Sequence, residues 1–91
     1  MFTPFAEYTV VAAGQAVPVP REIPPAQACL IACGVMTGVG AVLYTAQVRP
    51  GSSVAVFGSG AVGTSVIQGA RHARAGRIEI LHQRQRPLYE L

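Results

Sequence analysis

Apolar positions along the chain follow two rhythms, and the switches between them mark the elements. Residues 5–11 alternate loosely between apolar and polar side chains, which predicts a strand. Residues 16–19 predict a second short strand, confined to a sheet edge by Pro18 and Pro20. The proline-rich run 18–25 reads as a loop that feeds a helix, with Pro25 suited to the first helical turn. An apolar helix is expected over 26–32, interrupted by Gly34. A second is expected over about 37–47, where Gly38 and Gly40 permit close packing. Pro50-Gly51 signals a turn across 48–51. Residues 53–57 are nearly all apolar, as in a strand buried on both faces of a parallel sheet. Over 61–74, Val62, Val66, Ala70 and Ala73 recur at helical spacing, and Gly76 is the stop signal. Residues 77–81 predict another strand. The pattern then dissolves over 82–87, and 88–91 is a stub that could begin a further helix.

Composition narrows this picture. The chain has 91 residues, at most one small domain, and is 51% hydrophobic and 12% charged, which excludes a polar, disordered chain. The uncharged stretch 23–48 is long enough to raise a membrane span. Its prolines, glycines, glutamines and threonines predict that none forms, and no membrane partner is expected. The N-terminus carries Glu7 and no basic residue, unlike a secretory signal.

The net charge is +3, and all of the surplus falls in residues 71–91. Arg71 and Arg74 are expected on one helix face, but aromatic residues do not interleave with the arginines. A solvated basic face is therefore expected rather than a nucleic-acid surface. Lys is absent, which removes amine nucleophiles and a P-loop lysine. Cys29 and Cys33 are four apart, sharing a helix face but poorly placed for a disulfide. That pattern fits thiols in a reducing, cytoplasmic setting.

The chemistry is concentrated in one turn. Gly58-Ser59-Gly60-Ala61-Val62-Gly63 is a G-x-G-x-x-G that follows a predicted strand and opens a predicted helix. Gly58 would allow a tight turn, Gly60 a close approach by a pyrophosphate, and Gly63 close helix–strand packing. The helix start, with Ala61 and Val62, would offer free N–H groups to the phosphates. A plain strand–helix turn of small residues accounts for the same glycines. An acid that grips the cofactor ribose is expected about 20 residues on. His82 stands there, followed by Arg84, while Glu79 falls inside the strand. A neutral or basic corner favours the 2′-phosphate of NADP over the 2′-hydroxyl of NAD. A corner under no selection for either cofactor fits equally.

Three linked segments carry a resemblance. They are Phe5-Ala6-Glu7-Tyr8-Thr9-Val10-Val11, Ala28-Cys29-Leu30-Ile31-Ala32-Cys33-Gly34-Val35-Met36-Thr37-Gly38, and the run 48–58 from Val48-Arg49-Pro50-Gly51 to Phe57-Gly58. Together, in order, they resemble the zinc-dependent alcohol dehydrogenases of the medium-chain dehydrogenase/reductase family. The resemblance implies an α/β fold: a partial Rossmann βαβ unit preceded by the end of a GroES-like β domain. It implies a GroES-like remnant over 1–33 and the N-terminal half of a Rossmann domain over 34–91. It also implies that Cys33 is a catalytic zinc ligand and that Thr37 lies against the cofactor, while Cys29 is expected in the core. The cofactor would be NAD or NADP, the substrate a small alcohol or aldehyde.

The family's other zinc ligands precede the region matching Phe5. The expectation is therefore a truncated and inactive alcohol dehydrogenase-like chain. The alternative is a non-catalytic nucleotide-binding or interaction fragment. His72 and His82 match no ligand position and are expected to face solvent. One βαβ unit covers a parallel sheet on one face only, so bare apolar surface is expected, with oligomers or aggregation as its consequence.

Overall fold

Proline sets the start of the first helix. Pro24 is extended (φ −58°, ψ 141°) and Pro25 sits in the first turn, where a missing N–H costs nothing. In the computed structural model, which describes residues 5–81, helical backbone then runs on as α1, Pro25–Thr45. α-Helical turns at Pro25–Ala28 and Met36–Gly40 alternate with wider π turns at Ile31–Val35 and Ala41–Thr45. The expected break at Gly34 is absent. A mid-helix glycine costs only about 1 kcal/mol against alanine, too little by itself to break the helix. A Cβ at position 34 would lie 3.7 Å from Ala61 Cβ. The glycines therefore do not shorten the helix, and the premise for excluding a span fails. α1 has 21 residues, and a window of it reaches a mean hydropathy of 1.9, long and apolar enough by length and composition to cross a bilayer. Core helices of soluble proteins meet the same test.

The two N-terminal strands are also corrected. Residues 5–22 contain one short 3₁₀ turn, Ala13–Gln15, and no strand. A strand needs a neighbour for its N–H and C=O groups, and the described residues supply none there. Phe5, Tyr8 and Val10 are left almost wholly exposed.

Farther on, the strands stand where their apolar runs predict. β1 (Ser53–Phe57) and β2 (Arg77–Leu81) pair in parallel, from Ser53 opposite Arg77 to Phe57 opposite Leu81. α2 (Ala61–His72) connects them. It stops two residues earlier than expected. Arg74, not Gly76, is the left-handed residue after the helix, at φ +58°. Its N–H donates to Arg71 O at 3.0 Å and the Ala75 N–H to Ala70 O at 3.0 Å, the paired bonds of a Schellman ending. Arg71 and Arg74 therefore do not share a helix face. Glycine adopts a left-handed conformation without a Cβ penalty, so Arg74→Gly should raise stability by about 1 kcal/mol. A urea midpoint that does not rise would mean that the ending relaxes with arginine in place.

The core lies between α1, α2 and one sheet face. Val42, Val56 and Ala70 are its buried apolar side chains, joined by Ser65, Gly38 and Gly69. Among the described residues nothing covers the opposite sheet face. Ala55 is exposed there and Phe57 is 81% exposed.

Candidate functional site

The glycine turn is built by three different demands. β1 ends at Phe57, and Gly58 reverses the chain at φ +99°, a value that favours glycine. Its N–H donates to Leu81 O at 2.9 Å, adding one rung to the parallel ladder. The end of β2 is thus fixed against the turn. Gly63 sits in the first turn of α2, where an added Cβ would run into the Gly58 carbonyl oxygen. Gly60 is the contrast: an added Cβ there meets nothing within 4 Å. It holds the N-cap with extended backbone (φ −72°, ψ −169°), and no side chain caps the helix.

Between them these features leave an open approach to the positive end of a 12-residue helix. Thr64 ties the far side of the turn, its Oγ1 donating to Ser59 O at 3.3 Å. The Ser65 hydroxyl turns inward and donates to Ala61 O at 2.8 Å. Ala61 and Val62 are both exposed beside the opening. The arrangement can receive an anion on backbone N–H groups.

α1 packs on the same end of α2 through two glycines. Gly34 faces Ala61, and a Cβ at Gly38 would lie 2.6 Å from Val62 O. Cys33 and Thr37 are the chain neighbours of those glycines, and both are exposed. Cys29, expected in the core, is exposed as well, its thiol donating to Ala26 O at 3.3 Å. His72 is exposed on the last turn of α2. His82 and Arg84 lie outside the described residues. Glu79, the acid nearest the turn in sequence, pairs with Arg77 on the solvent side of β2.

Zinc, which the resemblance implies, does not fit the donors present. Among the described residues no three His, Cys, Asp or Glu side chains gather to hold a metal. A catalytic zinc takes about three protein ligands. A dinucleotide does fit the turn, because the space beside Gly60 is open where a phosphate would approach backbone.

The sequence reading missed the packing role of α2's small residues. Ser65 and Gly69 are buried, whereas Val62 is 42% exposed. The signal was present as Ala61, Ser65 and Gly69 at intervals of four.

No family model matches the chain. Individual relatives do. It is 57% identical over 74 residues to the S-(hydroxymethyl)glutathione dehydrogenase of Escherichia coli O1:K1 / APEC, covering 81% of this chain and 20% of that protein. The protein of the same name from Shigella sonnei (strain Ss046) matches equally. Among solved structures, an alcohol dehydrogenase zinc-binding domain protein from Burkholderia ambifaria superposes with a TM-score of 0.64 at 47% identity. That match covers 68% of this chain and 17% of that one. The chain spans about a fifth of the length of the curated relatives it matches. Over that span the chain is homologous to proteins of the zinc-dependent alcohol dehydrogenase family.

Proposed function

We propose that the turn 58–63 binds the pyrophosphate of a nicotinamide dinucleotide, within a segment of an alcohol dehydrogenase-like oxidoreductase. On this reading residues 1–33 are the end of a GroES-like domain and residues 34–91 the first half of a Rossmann domain. The observation that carries the reading is the three-way division of labour among Gly58, Gly60 and Gly63. A mere tight turn requires the first and the last. It gives no reason for the glycine at 60, whose Cβ would clash with nothing in the protein. Space kept clear beside an uncapped helix start suits a ligand.

The bound dinucleotide supplies a hydride acceptor in the family's chemistry, the oxidation of an alcohol. The relatives' name points to an S-hydroxymethyl thioether as that alcohol. The residues of this chain orient and hold. Gly60 admits the phosphates, the α2 amides neutralise them, and Thr37 would lie against the cofactor as the resemblance implies. Cys33 would furnish one thiolate to a zinc completed by ligands from elsewhere. Among the described residues no such centre is assembled. The second role, nucleotide binding without catalysis, is what the chain alone performs.

The basic corner extends the proposal to the choice of cofactor. β2 ends against Gly58, and the sequence continues from Leu81 with His82 and then Arg84, both outside the described residues. No acid from β2 competes, because Glu79 is engaged by Arg77. An exposed arginine–phosphate contact contributes about 1 kcal/mol, under tenfold in affinity. Titration of NAD and NADP against the wild type, Gly60→Val and Arg84→Ala tests both parts. Gly60→Val should abolish binding of either cofactor while the circular dichroism spectrum stays unchanged. Arg84→Ala should weaken NADP severalfold and leave NAD alone. Equal affinity of wild type and Gly60→Val would remove the turn as the site. Equal response of the two cofactors to Arg84→Ala would remove the 2′-phosphate assignment.

A further inference from the structure

We infer that Cys29 and Cys33 together form a chelating site for a thiophilic centre that takes two thiolates, such as trivalent arsenic bearing one organic group. These are the chain's only two cysteines. Both are free and both are exposed. Cys29 caps the first α turn of α1 and Cys33 lies four residues on in the π turn Ile31–Val35, about one turn along the same helical backbone.

The spacing decides which partner the pair can accept. Residues four apart on a helix hold their Cβ atoms about 5–6 Å apart. A disulfide needs about 3.8 Å, so the two sulfurs cannot join directly without distorting the helix. A single atom bonded to both sulfurs, at about the 2.3 Å of a metal–thiolate bond, closes the gap instead. The pair is thus too wide for oxidation and suited to bridging.

Coordination number and charge narrow the choice further. No third His, Cys, Asp or Glu joins the pair among the described residues, so a tetrahedral divalent ion has too few ligands. A centre satisfied by two sulfurs needs no more. Residues 23–48 carry no charged side chain to pair with a charged adduct. An arsenic(III) oxide R–As=O gives a neutral one. Each thiol forms an As–S bond, the two thiol protons leave with the oxide oxygen as water, and no electron changes hands.

The pair shares Cys33 with the zinc reading, but it also requires Cys29, which neither the zinc nor the nucleotide reading uses, so Cys29→Ser tests it apart from both. The test is phenylarsine oxide added to the full chain, read by intact-protein mass spectrometry. One phenylarsenic per chain is expected, with loss of water, retained against excess 2-mercaptoethanol and removed by a dithiol. Cys29→Ser and Cys33→Ser should each lose at least about a hundredfold in affinity, the usual gain from a second intramolecular bond. Both positions are exposed, so circular dichroism should show the same helix content in each variant. Adducts that survive in either single variant, or that link two chains through one arsenic, would overturn the inference.

Discussion

Gly63→Ala should cost the chain about 2–3 kcal/mol, the upper part of the range for overpacking a close contact. The smallest possible side chain suffices because the obstacle is backbone. The new Cβ would meet the Gly58 carbonyl oxygen, with the carbonyl carbon at 3.0 Å and Val56 Cγ1 at 3.8 Å behind it. A crowded side chain can change rotamer, but a carbonyl held in a turn cannot. Gly58 is fixed on its other side by its bond to Leu81. Relief therefore requires α2 to lift from β1, which opens the core at Val56. Alanine's better helix propensity returns about 1 kcal/mol and does not compensate. Gly60→Ala, three residues away, should leave stability within about 0.5 kcal/mol. Urea unfolding followed by circular dichroism compares the two. Equal midpoints for Gly63→Ala and Gly60→Ala would show that the helix start adjusts freely, and would weaken the geometric basis for the site.

That contrast also shows what could be read in the sequence. Local patterns were sufficient for β1, β2 and the turn, because each depends on neighbours close in the chain. The apolar run 53–57 and the spacing of Gly58, Gly60 and Gly63 are such patterns. The N-terminal strands were not recoverable in this way. Alternation at 5–11 reports a potential to pair, and pairing needs a second strand that the described residues do not provide. Gly34 misled for the opposite reason. Its local preference against helix is worth only about 1 kcal/mol, too little to interrupt an apolar helix that packs on α2. The stop of α2 shows a third case. Hydrogen bonds from Arg74 and Ala75 end the helix on an arginine, where propensity pointed to Gly76. For the site, the residues of the turn were legible and those of α1 were not. Cys29 looked like core because free cysteine is commonly buried, but its side of α1 is not the side that meets α2.

The face of α1 that does meet α2 yields the other large expected effect. Gly38→Val should destabilise the chain by about 3 kcal/mol or more, again through overpacking against fixed atoms. A Cβ at position 38 would lie 2.5 Å from Ser65 Cβ, 2.6 Å from Val62 O and 2.8 Å from Val66 N. Two of these three are backbone, and Ser65 is itself held by its bond to Ala61 O. The helices must separate, which exposes Val42 and Ala70. Because Val62 belongs to the first turn of α2, the displacement also reaches the anion-binding end, and dinucleotide affinity should fall with stability. Gly40→Ala is the matched control. Its Cβ would approach only Tyr44 Cδ2, at 4.0 Å within the same helix, so it should gain about 1 kcal/mol of helix stability. The pair of variants also separates two environments for α1. A helix whose Gly38 face met lipid would be indifferent to valine or strengthened by it. A helix packed on α2 must lose protection there. Amide hydrogen exchange along 36–45 and 61–70 reads the difference. Protection retained in Gly38→Val would mean that the two helices do not rest on one another.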